Sequence, residues 1–200
     1  LEKLKLAGSK KKIFSELHEK FGGNIRAFIA GGAAPDPKVA EGLRGFGFTF
    51  IQGYGLTETS PILTLNRLNN FKDEAAGLPL PNVELQIDSP DNNGVGEIFA
   101  KGPNIMLGYY KNESATNEAI VNGWFRTGDL GHIDPDGFLH ISGRKKNLIL
   151  SRSGENVFPE EIEDLLNRSK YVLECIVYGK KDEKHDEIIA AKIVPDAESF

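Results

Sequence analysis

The stretch Gln52-Gly53-Tyr54-Gly55-Leu56-Thr57-Glu58-Thr59-Ser60-Pro61 sets two glycines around an aromatic ring and then a hydroxyl beside a carboxylate. Those residue types in that order are suited to holding a nucleotide. Glycine has no β-carbon, so the backbone at Gly53 and Gly55 is able to lie flat against a planar ligand or to turn sharply. The Tyr54 ring between them would then stack on a base, with the backbone amides from Gln52 onward reading its edge. Thr57 offers a hydroxyl to a phosphate oxygen. Glu58 would repel that phosphate unless a divalent cation lay between them, and magnesium characteristically bridges one or two carboxylates to substrate phosphates. Taken alone, the stretch is equally a plain turn capped by a Thr or Ser.

The elements around it decide how such a turn would be held. The apolar run Phe48-Thr49-Phe50-Ile51 predicts a short buried strand directly before the glycines. Upstream, Ile13, Phe14, Leu17 and Phe21 recur at helical spacing, and Gly22-Gly23 closes that helix. A strand is expected over Ile25 to Ala30. It is followed by the turn Gly31-Gly32-Ala33-Ala34-Pro35 and by Asp36-Pro37, an N-cap with proline at the first helical position. Strand, glycine turn, helix, strand reads as α/β with parallel strands, and in open α/β sheets ligands bind beyond the carboxyl ends of the strands. From about residue 76 the texture changes. Val83 to Ile87 alternates with period two, Pro90-Asp91-Asn92-Asn93-Gly94 is a turn, Gly96 to Ala100 is the partner strand, and a further turn falls at Asp134-Pro135-Asp136-Gly137. This region reads as antiparallel β. After Arg144 a third texture follows: a strand at Leu148 to Leu150, a loop from Ser151 to Phe158, a helix from Pro159 to about Arg168, and strands at Tyr171 to Tyr178 and Ile188 to Val194.

Composition bounds the function classes. Two hundred residues, 40% hydrophobic and 26% charged, make one globular core or one core and part of a second. A net charge of −5 argues against a nucleic-acid partner, which would require a basic face. The Lys10-Lys11-Lys12 run reads as a solvated helix start, with peripheral membrane contact the minor alternative. No apolar run approaches the roughly 18 residues of a membrane span. The single cysteine, Cys175, sits in a strand-like run and reads as a core residue, in keeping with a reducing, cytoplasmic setting. The four histidines show no metal-ligand spacing with each other or with Cys175.

Five stretches recur in a telling order: GGAAP (31 to 35), QGYGLTETSP (52 to 61), GEIFAKGPNIMLGYYKN (96 to 112), GWFRTGDLG (123 to 131) and GFLHISGRKKNLILSRSGENVFPEEIE (137 to 163). This succession resembles the adenylate-forming superfamily of acyl-CoA synthetases, adenylation domains and luciferases, and is most similar to fatty acyl-CoA synthetases. The resemblance covers nearly the whole chain from about Gly23. It implies a fold of α/β plus antiparallel β. Residues 1–75 would be the end of the α/β part of a large AMP-binding domain, 76–143 its β-rich, barrel-like part, 144–146 a hinge, and 147–200 the start of a small, mobile α+β C-terminal domain. The implied activity is AMP-forming ligation of a fatty acid to CoA, with ATP/AMP, Mg2+ and CoA in the site. An amino-acid or other carboxylate adenylation domain is the alternative within that class, and a non-catalytic nucleotide-binding module the alternative outside it. Acyl chain length and oligomeric state are not legible.

The resemblance also distributes roles. Gly31, Gly32 and Ala33 would line the adenine and acyl pocket; Gln52, Gly53 and Gly55 would accompany Tyr54 at adenine. Thr57 would bind the α-phosphate and Glu58 magnesium, making these two the catalytic pair. Asp129 would accept from both ribose hydroxyls, which suits an ionised carboxylate with only acceptor capacity, and Arg144 would assist there. Lys146 would be the hinge, and Gly154 would lie at the CoA channel. The family's upstream Ser/Thr/Gly-rich phosphate loop and its C-terminal lysine have no counterpart in these 200 residues, so the stretch is expected to be a piece of the enzyme, inactive by itself.

Overall fold

The computed structural model describes residues 9–33, 35–151, 155–181 and 187–199. The chain is mixed α/β with antiparallel sheet, and it divides into two compact units. One comprises residues 1–86, 99–126 and 133–140, the other 87–98, 127–132 and 141–200.

In the first unit, helix α1 (Ser15–Lys20) precedes strand β1 (Phe28–Ala30), helix α2 (Pro37–Gly45) and strand β2 (Phe50–Gly55). Asp36 caps α2 as its sequence predicts, its carboxylate accepting from Lys38 N at 2.8 Å with Pro37 in the first turn. An aromatic cluster packs beneath. His18 stacks on Phe48 with ring centres 4.0 Å apart, and Phe21 and Phe28 meet Phe48 edge to face. His18 is buried, with Nε2 2.9 Å from the Phe46 carbonyl.

The strands depart from expectation in three respects. The strand foreseen over Phe48 to Ile51 starts two residues later and continues through the glycines to Gly55. The strand foreseen from Ile25 is confined to Phe28–Ala30. The parallel character is equally limited: β1 pairs β2 in parallel, Phe28 with Phe50 and Ala30 with Gln52, but β3 (Ile62–Leu65) and β4 (Leu78–Pro79) extend the sheet antiparallel. The glycines account for the longer β2. A β-carbon on Gly53 would stand 2.6 Å from the Thr64 carbonyl oxygen, and one on Gly55 would collide with the Pro61 carbonyl. Gly53 and Gly55 let β2 run on beside β3, where a side chain would force the strands apart.

A five-stranded sheet is ordered β5 (Glu84–Asp88), β6 (Gly96–Lys101), β8 (Trp124–Ile133), β7 (Ile120–Val121), with β9 (Leu139–Arg144) also on β8. The predicted turns are formed. Asp91 accepts from Asn93 N and Val95 N, and Gly94 adopts φ +80°. Asp134 accepts from Asp136 N and Phe138 N and is bound by Lys72 and His140. Helix α3 (Glu113–Ala119) lies between β6 and β7 in the chain.

In the second unit β10 (Ile149–Leu150) and β11 (Asn156–Val157) form a small antiparallel pair. Helix α4 (Pro159–Asn167) packs on β12 (Val172–Lys181), which pairs antiparallel with β13 (Glu187–Pro195). Cys175 is half-buried on β12, its thiol pushed up by burial, with Sγ 3.3 Å from Asn167 Oδ1. Among the described residues no helix is long and apolar enough to cross a membrane.

Candidate functional site

The first group of residues forms where β1 ends beside Gln52 of β2. Gly31, Gly32 and Ala33 are exposed after β1, Gly32 with φ +94°. An ideal β-carbon on Gly31 would sit 3.8 Å from the Gly53 carbonyl oxygen, so the two glycine stretches are brought together. Gln52 is buried, and its side-chain amide donates to the carbonyls of Asp73 (2.8 Å) and Ala75 (2.6 Å). Tyr54 is half-buried, in register with Thr64.

Beyond Gly55 the chain turns through a short 3-10 segment, Thr57–Thr59, and Ser60 takes the left-handed conformation at φ +55°. Thr59 pins this turn. Fully buried, its hydroxyl accepts from Leu56 N at 2.9 Å and donates to the Pro61 carbonyl at 2.6 Å. Thr57, two residues before it, is exposed. Glu58 is half-buried and held twice: Met106 N donates to its carbonyl at 2.8 Å, and the Tyr109 hydroxyl donates to Oε1 at 3.0 Å. Burial first and the Glu58 carboxylate second push the Tyr109 phenol above its ordinary value. A single half-buried carboxylate beside an exposed hydroxyl fits magnesium, a hard cation that takes most of its oxygens from water and substrate phosphates. Among the described residues no cluster of three or more metal-ligating side chains is present.

The second group lies in the other unit and is built from charge. Strand β8 kinks at Gly128, φ +71°. Thr127 Oγ1 donates to the Ile98 carbonyl at 2.8 Å and accepts from Asp129 N at 3.1 Å, which fixes the kink. Asp129 is 4% exposed, and Arg144 Nε lies 2.8 Å from its Oδ1. The next basic residue repeats the arrangement, with Lys145 Nζ 2.6 Å from Oε2 of buried Glu97 on β6. Each pair joins a buried carboxylate to a cation about half exposed. Lys146 follows in a single 3-10 turn, Lys145–Asn147, and is exposed. A cavity of about 230 Å³ beside this turn is lined by Asp91, Glu97, Lys145, Leu148, Asn156 and Phe158 among others. Ser151 N donates to the Glu155 carbonyl at 2.9 Å next to the β10–β11 pair, and Gly154 lies outside the described residues.

Sequence reasoning did not single out Tyr109, Glu97 or Lys145. The pairing of Lys145 with Glu97 had a faint signal, since two adjacent cations at a strand end call for two acids nearby. The Tyr109 contact spans 51 positions and had none.

The family model for AMP-binding enzymes matches residues 2–110. A long-chain-fatty-acid–CoA ligase of Mycobacterium bovis is 39% identical over 188 residues, covering 94% of this chain and 30% of that protein. A 2-succinylbenzoate–CoA ligase of Bacillus cytotoxicus is 39% identical over 194 residues, covering 92% of this chain and 40% of its own length. Among solved structures, O-succinylbenzoate Coenzyme A synthetase from Bacillus subtilis in complex with AMP superposes with a TM-score of 0.80 at 34% identity, covering 93% of this chain and 40% of that one. The same enzyme in complex with ATP and magnesium ion gives 0.77 at 32% identity, covering 92% and 40%. The chain thus spans about a third of the length of the relatives it matches.

Proposed function

The chain belongs to the AMP-binding enzyme family, and from that premise we propose that the protein carrying it is an acid–CoA ligase that converts a carboxylic acid and ATP to an acyl adenylate and pyrophosphate, then passes the acyl group to CoA. The observation that carries the reading is the 39% identity to two ligases whose acids differ, one a long-chain fatty acid and the other 2-succinylbenzoate, while CoA is common to both. That shared acceptor supports a CoA ligase over an amino-acid adenylation domain or a binding module without catalysis.

In this reading Gly31, Gly32, Ala33, Gln52, Gly53, Tyr54 and Gly55 accommodate the adenine, with the Tyr54 ring against it. Thr57 donates to the α-phosphate, and Glu58 holds the Mg2+. That cation, when bound, neutralises charge on the phosphate oxygens. Asp129 and Arg144 serve the ribose, and Lys146 is the hinge about which the small domain turns, bringing the loop with Gly154 to the CoA arm. Residues 1–143 then belong to the large domain and 147–200 to the small one. Pre-positioned donors and carboxylates of this kind act by holding the nucleotide where the acid attacks.

A long-chain fatty acid is the first substrate to test, and the equal identity to the 2-succinylbenzoate ligase supports an aromatic acid as the second reading. Thioester formation with CoA and ATP, measured across palmitate, 2-succinylbenzoate and an amino acid, separates them. Thioester from palmitate alone supports the fatty-acid reading, and thioester from 2-succinylbenzoate alone replaces it. Adenylate without thioester from any of the three contradicts CoA ligation.

A further inference from the structure

Glu58 owes its position to a segment remote in sequence. The Tyr109 hydroxyl donates to Glu58 Oε1 at 3.0 Å, and three residues before it Met106 N donates to the Glu58 carbonyl at 2.8 Å. One short stretch therefore grips both the main chain and the side chain of the same residue. That stretch is itself braced by α3. Tyr109 N donates to Thr116 Oγ1 at 2.9 Å, and Thr116 Oγ1 donates back to the Asn112 carbonyl at 2.9 Å. Gly108, at φ +151°, presses so closely on Thr116 that a β-carbon there would stand 2.7 Å from its methyl and 2.9 Å from its hydroxyl.

A glutamate has three rotatable side-chain bonds, and a half-exposed one keeps much of that freedom unless something fixes it. Tying one carboxylate oxygen to a donor fixes the rotamer and leaves the second oxygen for a ligand. A hard cation that takes one oxygen from each carboxylate requires no more than that. We infer that Tyr109 is a positioning residue for adenylation, its hydroxyl setting the Glu58 carboxylate for the metal that accompanies ATP, with Thr116 setting Tyr109 in turn. The inference rests on the proposed reading of Glu58 as the residue that holds Mg2+.

The test is calorimetric binding of ATP to the protein carrying this chain, once with Mg2+ and once with EDTA, for wild type, Tyr109→Phe, Thr116→Val and Glu58→Gln. Tyr109→Phe keeps the ring and removes only the donor. It should weaken ATP binding about five- to tenfold in Mg2+ and leave binding in EDTA unchanged. Thr116→Val should show the same pattern to a smaller extent, and the Mg2+ concentration for half-maximal pyrophosphate exchange should rise in both. Equal weakening with and without Mg2+ makes Tyr109 a packing residue and overturns the inference, as does no weakening in Tyr109→Phe where Glu58→Gln shows the Mg2+-specific loss. If Glu58→Gln itself shows no Mg2+-specific loss, the metal-holding role of Glu58 falls, and the positioning role falls with it.

Discussion

The two groups of candidate residues are held by different physics. Around Tyr54 and Glu58 the frame is backbone shape, with two glycines that admit a neighbouring strand, a buried threonine that ties a turn, and a neutral donor on a carboxylate. Around Asp129 the frame is charge, with consecutive cations, Arg144 and Lys145, each reaching a buried acid. A shape-built site is intolerant of added atoms and indifferent to salt. A charge-built site admits changes of shape better than changes of charge, and because its cations are half exposed each pair is worth less than a fully buried one.

One methyl added to each region should give the largest contrast. At Gly55 an added β-carbon meets the Pro61 carbonyl, backbone that cannot move without opening the β2–β3 pairing. Gly55→Ala should destabilise the fold by at least about 3 kcal/mol, read as a fall in the denaturant midpoint. At Gly128 a β-carbon meets nothing within 4 Å, and only the φ of +71° opposes it. Gly128→Ala should cost only about 1 kcal/mol, and Gly128→Asn less again. Equal effects at both positions would remove the distinction.

Charge removal sharpens the other side. Asp129→Ala takes away the acceptor proposed for the ribose hydroxyls, and nucleotide binding should weaken by about 1 to 3 kcal/mol, roughly 5- to 150-fold. Arg144 is 46% exposed and turns to water when its partner goes, so the denaturant midpoint should move little. Unchanged nucleotide affinity would make Asp129 a turn residue. The smallest effect is expected away from both groups, at the Asp134 turn. Lys72, chiefly, holds the Asp134 carboxyl well below the ordinary value of 3.8, with His140 and the turn's backbone donors assisting and desolvation opposing. A depressed folded-state pKa stabilises fully above the ordinary value, and that stabilisation is lost as pH falls below it. Lys72→Met should therefore flatten the fall in stability below about pH 4 and leave nucleotide binding unchanged; an unaltered acid profile would contradict the assignment.

Much of this was legible in the residues. Asp36-Pro37 announced a helix start, Asp91 to Gly94 and Asp134 to Gly137 announced turns, and each formed through the side-chain to backbone hydrogen bonds those types favour. The glycines of the Gln52 to Gly55 stretch were legible as a demand for close approach, but whether ligand or strand approaches is not written locally. β3 supplies the neighbour, and β2 is longer than its apolar run for that reason. What holds Glu58 was not legible, and Glu97 had only the faint signal of two adjacent cations, because those contacts join positions 51 and 48 apart and depend on how the chain returns.

The role proposed for these residues is acid activation, beyond the binding of a nucleotide. It is tested most directly by exchange of labelled pyrophosphate into ATP, catalysed by the protein carrying this chain, with and without a carboxylic acid. Exchange should require both the acid and Mg2+ and be lost in Glu58→Gln. Tight ATP binding with no acid-dependent exchange would contradict that role and leave a nucleotide-binding module in its place.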